Sequence, residues 1–261
     1  MFQEERLQAI CEMVARRQSV KVSELSEELN ISVATVRRDL EELQRQGKVM
    51  RTHGGAMLPY SVGYEIQVDK LGMKCGEEKR RIAQKALSYI QNNDTLLIDE
   101  SSTAFELVRL LAEGAFASLT IMTTSLKAVQ ALSHIKKYQV VLVGGCVNYD
   151  QSSVEGYAAV QFIQKHRVDK CFIGVNGIDK TFGFSTPRLS EAEMKTAMIA
   201  SSRVSYVLAD HTKFGKCYFA NIPAADYVVT DTRAPGFAYE ALERLSEVFF
   251  ADGGNQEEGT E

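Results

Sequence analysis

"SELSEELNISVATVRRDLEEL", Ser23 to Leu43, decides how the first part of the chain folds. Leu25 and Leu29 share one helical face, "NIS" is long enough only for a tight turn, and Val36, Leu40 and Leu43 recur at i, i+4 and i+7. The spacing predicts a helix from Glu24 to Leu29 capped by Ser23, then a longer helix capped by Ser32 that runs to Gln46 and stops at Gly47. Two helices joined by so short a turn form a helix-turn-helix. Because Val36, Leu40 and Leu43 must face a core, Ala34 and Arg38 turn to the opposite side, flanked by Thr35 and Arg37. Small, hydroxylated and cationic residues are what a helix needs where it enters a DNA groove. The same residues allow a second reading. Arg37 with Glu41 and Arg38 with Glu42 are i, i+4 pairs, each worth about 0.3–0.5 kcal/mol, and a solvated face with its charges paired would read nothing.

The flanking sequence favours the first reading. Upstream, Leu7, Ile10, Cys11 and Val14 predict a first helix over Glu4 to Arg17, and "QSVKV" interrupts the pattern. Downstream, an alternating segment from Lys48 to Arg51 is followed by His53-Gly54-Gly55, a turn from which a second strand returns, so the helices carry a wing. No acid occurs between Leu43 and Tyr64, whereas Arg45, Lys48 and Arg51 are basic. The whole chain has a net charge of -4 and a pI near 5.7, so any DNA contact has to come from such a local patch.

These residues, "EERLQAI", "VKVSELSEELNISVATVRRDLEELQRQGKV" and "RTHGGA", resemble the winged helix-turn-helix of DeoR-type bacterial transcriptional regulators. The resemblance implies double-stranded operator DNA as a partner. It points to Ser32, Ala34, Thr35, Arg37 and Arg38 on the reading helix and Arg51, His53 and Gly54 in the wing as the DNA-binding residues.

Composition bounds the rest. A chain of 261 residues, 45% hydrophobic and 25% charged, suits two domains with sizeable cores and has no apolar run near the roughly 20 residues of a membrane span. "MFQEERLQAI" lacks a basic region followed by an apolar stretch, so a cytoplasmic location is expected and no membrane partner. Five cysteines, Cys11, Cys75, Cys146, Cys171 and Cys217, are odd in number and never form C-x-x-C, which argues against a disulfide framework or a metal site. Cys11 and Cys171 read as small core residues.

After Pro59, scattered glycines and weak periodicity place a linker at residues 58–76, between a DNA-binding domain at 1–57 and a second domain at 77–250. The acidic stretch 251–261 reads as a disordered tail. The second domain alternates: helix Glu78 to Gln91, strand "TLLID", helix Ala104 to Leu111, strand "LTIMTTS", helix Leu126 to Ser133, strand "QVVLVGG". A helix over Ala158 to Lys165 precedes "KCFIGVNGI", a helix over Glu191 to Ser201 precedes "VSYVLAD", and "ADYVVTD" ends the series. Such alternation predicts an α/β fold with a mostly parallel sheet.

Nearly every strand ends in small or polar residues, and in an open parallel sheet these ends frame a ligand crevice. The candidates are Asp99 with Ser101, Ser102 and Thr103; Thr124 and Ser125; Gly144 and Gly145; Asn176 and Gly177; and Asp210 with Lys213. "DESST" before a helix offers hydroxyls and free N–H groups to a phosphate. Lys195 and Lys213 add positive charge, while Asp99, Glu191 and Asp210 can accept from sugar hydroxyls. Each has a structural alternative. Ser190 and Glu193 fit a capping box, Glu191 and Lys195 can form a surface ion pair, Gly144-Gly145 can simply turn the chain, and Asp210 can cap the segment after it.

The segments "LLIDESST", "IMTTS", "VLVGG", "FIGVNGID", "FSTPRLSEAEMK", "LADHTKFGK" and "VVTD" resemble the effector-binding domain of the same DeoR family, which is similar in fold to ribose-5-phosphate isomerase and glucosamine-6-phosphate deaminase. The resemblance implies a repressor of sugar-metabolism genes with a phosphorylated sugar as effector, no cofactor, and a homo-oligomer, dimer or tetramer. Two residues depart from the family pattern: Glu100 opens a loop that is usually of Gly-Thr-Thr type, and Thr124 stands where asparagine is common. The rival reading is a sugar-phosphate isomerase or deaminase with an accessory DNA-binding head, for which Asp99, Asp179, Glu191 or Asp210 would supply the base. A third reading keeps the regulator and replaces the small effector by a protein partner.

Overall fold

The computed structural model describes residues 3–17, 19–46, 48–52, 54–57 and 75–252. The chain divides into two compact units, Met1–Ser61 and Val62–Glu261.

The first unit holds α1 (Gln3–Arg17), β1 (Ser19–Lys21), α2 (Val22–Glu28), α3 (Val33–Arg45), β2 (Met50–Thr52) and β3 (Gly55–Met57). Its core gathers Ile10, Val14, Leu25, Val36, Leu40 and Leu43, all fully buried, as the apolar spacing requires. Ser32 caps α3, its Oγ accepting from the Thr35 N–H at 3.1 Å. The second helix begins two residues earlier than the sequence suggests. Ser23 therefore lies inside α2, and the Glu24 carboxylate closes the helix start by accepting from the Lys21 N–H at 3.2 Å. "QSVKV" does more than interrupt α1: it contributes β1, which pairs with β3 so that the wing is a three-stranded antiparallel sheet ordered β1-β3-β2. The close approach explains Gly55, where a Cβ would lie 2.0 Å from the Val20 carbonyl oxygen. Gly47 and His53 lie outside the described residues, as does the predicted linker up to residue 74.

The second unit runs through α4 (Gly76–Leu87), β4 (Thr95–Ile98), α5 (Ser102–Leu111), β5 (Leu119–Thr123), α6 (Leu126–Leu132), β6 (Tyr138–Leu142), β7 (Cys146–Asn148), β8 (Ser153–Glu155), α7 (Tyr157–Gln164) and β9 (Val168–Gly174). It continues with β10 (Gly177–Asp179), β11 (Gly183–Thr186), α8 (Leu189–Ser201), β12 (Ser202–Leu208), β13 (Ala220–Ile222), β14 (Tyr227–Thr230), α9 (Tyr239–Leu242) and β15 (Glu247–Phe250). Seven strands form one sheet, ordered β15-β14-β12-β9-β4-β5-β6, and every pairing in it is parallel. Both faces are covered, which is why these strands read as continuous apolar runs. Leu96, Ile98, Phe172 and Leu208 pack under α4, α5 and α6, while Leu97, Cys171, Ile173 and Val207 face the side of α7 and α8.

The series does not end at "ADYVVTD". β15 adds an edge strand beside β14, and Ala251 and Asp252 extend its pairing through hydrogen bonds to Thr230 and Asp231. Two small antiparallel sheets were not visible in the sequence: the β7-β8 hairpin, and β10-β11-β13. Successive connections step from β4 through β5 to β6 on one side and from β9 through β12 and β14 to β15 on the other. The strand order therefore reverses between β4 and β9, the position at whose carboxyl ends open parallel sheets bind their ligands.

Candidate functional site

On α3 the arginines and acids do not pair as i, i+4 spacing would allow. Glu41 accepts from the Arg51 Nη1 of the wing at 2.7 Å, and Glu42 accepts from Arg45 at 2.6 Å and Gln46 at 2.7 Å. These contacts hold the Glu42 carboxyl down to about 2. Arg37 and Arg38 are exposed and make no hydrogen bond or ion pair among the described residues. Ala34 is exposed beside them. A shallow hollow of about 290 Å³ lies between α2, α3 and the wing, lined in part by Ser23, Val33, Arg37, Arg51 and Gly54. Ser32 and Thr35 are committed to each other, their hydroxyl oxygens 2.9 Å apart, so they shape the start of the helix. Asp39, the acid within "TVRRDL", faces inward and holds α1 through a two-point contact with Arg6, Nε to Oδ2 at 2.8 Å and Nη2 to Oδ1 at 3.2 Å.

At the strand-order reversal of the second unit, Lys195 of α8 is 2% exposed. Its Nζ lies 2.6 Å from Asp99 Oδ2, 3.3 Å from Glu191 Oε1 and 3.9 Å from Glu100 Oε1. Burial alone would lower the lysine's pKa, but Asp99, Glu100 and Glu191 outweigh it and push it up, so the ammonium stays charged. Asp99 is saturated: Oδ1 accepts from the Ser101 N–H and hydroxyl, Oδ2 from Lys195 and from the Gly174 N–H at 2.7 Å. The closeness of β9 to the Asp99 loop explains Gly174, whose Cβ would sit 2.4 Å from that of Ser101.

Glu100 and Thr124 meet here. The Thr124 hydroxyl donates to Glu100 Oε2 at 2.8 Å. Burial pushes the Glu100 carboxyl up, Lys195 opposes this, and Asp99 and Glu191 add to the rise. Glu191 ends below the ordinary carboxylate range. Burial raises it, but Lys195, the adjacent Thr186 hydroxyl and Arg188 together overcome that.

The structure therefore brings Asp99, Ser101, Thr124, Glu191 and Lys195 together, with Glu100 as an added member. Ser101 and Ser125 also cap α5 and α6. Ser102 is exposed, whereas Thr103 is buried. Gly144 is open, Gly145 packs against the β7-β8 hairpin, and Gly177 packs against Lys216. Asn176 donates its N–H to the Ser185 carbonyl. Asp210 caps a short 3-10 turn, accepting from the Thr212 N–H at 3.0 Å and from its hydroxyl. Lys213, at the end of that turn, is half-buried and makes no ion pair among the described residues. No hydrogen bond or ion pair among the described residues joins Asp210 or Lys213 to the Lys195 cluster.

Other expectations are corrected. Glu191–Lys195 is a buried pair and not a surface one. Ser190 and Glu193 form no capping box, because α8 begins at Leu189 with Arg188 as its capping residue and Glu193 points to solvent. Asp179 accepts from the N–H groups of Thr181 and Phe182, both at 2.8 Å, which lowers its pKa and makes it a turn residue. Sequence reasoning missed Asp231, which follows β14 as Asp99 and Asp210 follow β4 and β12. It is fully buried and accepts from the His211 N–H and pairs with His211 Nδ1, both at 2.7 Å. The shared pattern of an apolar run closed by aspartate would have flagged it. Thr186 and Arg188 were missed too. Arg188 donates to Gln151 of the β7-β8 hairpin and lies 3.8 Å from Glu155 and 3.6 Å from Glu191.

A winged helix-turn-helix with an exposed cationic reading helix, joined in one chain to a parallel-sheet unit with a buried charge cluster at its switch point, defines the class of DNA-binding transcriptional regulators that carry a sensor domain. The comparisons give the family. Residues 6–62 match the DeoR-like helix-turn-helix domain and residues 74–232 match the DeoR C terminal sensor domain, and the chain belongs to the DeoR family. The glycerol-3-phosphate regulon repressor of Escherichia coli (strain K12) is 33% identical over 245 residues, covering 93% of this chain and 96% of that one. The lactose phosphotransferase system repressor of Staphylococcus aureus (strain N315) is 34% identical over 220 residues, 83% of this chain and 86% of that one. Among solved structures, ribose 5-phosphate isomerase A from Methanocaldococcus jannaschii aligns over 54% of this chain and 55% of that one, with 16% identity and a TM-score of 0.39. No helix among the described residues is long and apolar enough to cross a membrane.

Proposed function

We propose that this regulator represses sugar-metabolism genes and that a phosphorylated sugar, bound at the carboxyl ends of β4, β5, β9 and β12, controls its hold on operator DNA. Ala34, Arg37 and Arg38 face the groove, with Arg51 and Gly54 of the wing beside them. The observation that carries the effector half is Lys195, buried and charged among Asp99, Glu100 and Glu191 at the switch point. A buried ion cluster of this kind is costly to maintain for stability alone, and perturbed charges in a crevice mark functional sites. The two relatives named as repressors support the assignment, and their names refer to a glycerol phosphate and to the lactose phosphotransferase system. The chain acts as a homo-oligomer, which lets paired reading helices meet repeated half-sites.

Of the four candidate bases for an isomerase or deaminase, Asp99 is saturated, Asp179 holds a turn and Asp210 caps one, which leaves Glu191, and its partner Lys195 sits 3.3 Å from one of its oxygens. A thermal-shift screen of the full chain against phosphorylated sugars, each paired with its free sugar and checked for turnover, tests the reading. A ligand at 100 times its Kd should add about 2.7 kcal/mol and raise the Tm visibly. A shift with a phosphosugar but not with its free form, and loss of operator binding in the same condition, is the expected result. Turnover would overturn it.

A further inference from the structure

The turn from β11 into α8, "TPRLSE", carries three buried polar atoms that have no hydrogen-bond partner among the described residues: Thr186 Oγ1, Arg188 Nε and Glu191 Oε2. Thr186 is fully buried and Glu191 is 8% exposed. Native proteins leave few such atoms unsatisfied, because each forfeits its hydration on folding. These three belong to one place. Arg188 Nη2 is 3.6 Å from Glu191 Oε2, and the Thr186 hydroxyl lies beside the Glu191 carboxylate and favours its charged form.

We propose that Thr186, Arg188 and Glu191 form a subsite that binds a hydroxyl group of the sugar part of the effector. The hydroxyl donates to Glu191 Oε2 and accepts from the Arg188 Nε–H, while the Thr186 hydroxyl serves the same group or its neighbour. The inference rests on the effector reading above.

Charge selects a neutral hydroxyl over the alternatives. An anion would meet Glu191 and Glu155, which already flank the guanidinium at 3.6 and 3.8 Å, with Asp99 and Glu100 beyond them around Lys195. An ammonium would meet Lys195, whose Nζ is 3.3 Å from the other Glu191 oxygen, and Arg188 itself. A hydroxyl both donates and accepts, which is what a carboxylate oxygen beside an N–H requires. The subsite therefore reads the sugar and leaves the phosphate to another part of the crevice. The hairpin forms one of its walls, since Arg188 also donates to Gln151.

Thr186→Val separates this role from a structural one, because it keeps the shape and removes only the hydroxyl. The probes are glycerol phosphate, a set of hexose phosphates, a singly deoxygenated analogue of each, and inorganic phosphate. The readouts are the Tm of the unliganded protein and the Kd by calorimetry. The expected result is an affinity about tenfold weaker for the hydroxylated probe that binds the wild type, and no change for the analogue lacking the hydroxyl read here. Arg188→Lys, which keeps the charge but removes the Nε–H, should weaken the same probe. A lower unliganded Tm with unchanged Kd, or an equal loss for probe and deoxygenated analogue, would overturn the subsite while leaving the effector reading intact. Failure of every probe to bind the wild type would overturn both.

Discussion

Two ion pairs of the same length sit in the two units. Glu42–Arg45 on α3 and Asp99–Lys195 in the crevice both measure 2.6 Å, yet the arginine side chain of the first is 76% exposed and the lysine of the second 2%. Water screens the first pair, so it adds little to stability and mainly serves to occupy an acid that would otherwise pair along the reading helix. The second pair has lost its hydration, and each partner depends on the other. Distance does not tell the two apart; the surrounding dielectric does. The exposed network frees Arg37 and Arg38 for a polyanion, and the buried one fixes the shape of a small site.

The largest effect should come from breaking the buried network. Lys195→Met leaves Asp99, Glu100 and Glu191 without their cation and should cost about 3–5 kcal/mol, read as a lower urea midpoint of the second unit's transition. A loss below about 1 kcal/mol would mean that the cluster is as well solvated as the pair on α3.

Next comes Arg38→Ala, which should weaken operator binding by about 1–3 kcal/mol while leaving stability within about 0.5 kcal/mol. Salt titration of operator binding should show a shallower slope if the arginine meets a phosphate; an unchanged affinity and slope would remove it from the interface.

A smaller effect is expected at Glu100. Folding raises this carboxyl's pKa, so the folded state holds the proton more tightly than the unfolded chain does. Its ionisation therefore costs stability above the ordinary carboxylate pKa of about 4.3, and the cost reaches its full size once the pH exceeds the raised value. Glu100→Gln should raise the Tm at neutral pH by about 2–4 °C, the shift that about 1 kcal/mol gives in a domain of this size. The gain should shrink as the pH falls, and a gain that grows on acidification would contradict the sign.

The smallest belongs to the exposed network. Glu41→Gln releases Arg51 and should change stability by no more than about 0.5 kcal/mol, in a direction that added salt attenuates. A larger loss would show that the wing depends on this contact for its position.

The reading helix was legible in the sequence because its spacing alone sorts Val36, Leu40 and Leu43 from Arg37 and Arg38, and the structure buries the first three completely. The parallel strands were legible for a similar reason. A strand covered on both faces has to be apolar throughout, and six such runs are separable by the segments between them; β15 follows only a short α9 and lacks so clear a separator. β1 and the β7-β8 hairpin have three residues per strand, and β1 finds its partner more than thirty residues away, so no local pattern announces it. The cap of α8 is hidden because Ser190 and Glu193 satisfy a spacing that the helix, beginning at Leu189, places inside its first turn.

By itself, then, the sequence determined which residues must be inside, in what order the elements come, and that several strand ends carry polar groups, because periodicity and burial are properties of a single segment. Only the tertiary structure decided that Glu41 and Glu42 turn to Arg51 and Arg45, that Lys195 is buried among three carboxylates drawn from β4's loop and from α8, and that Glu100 answers Thr124. A charge's partner and its dielectric depend on what other segments bring beside it, and neither can be read from spacing along one chain.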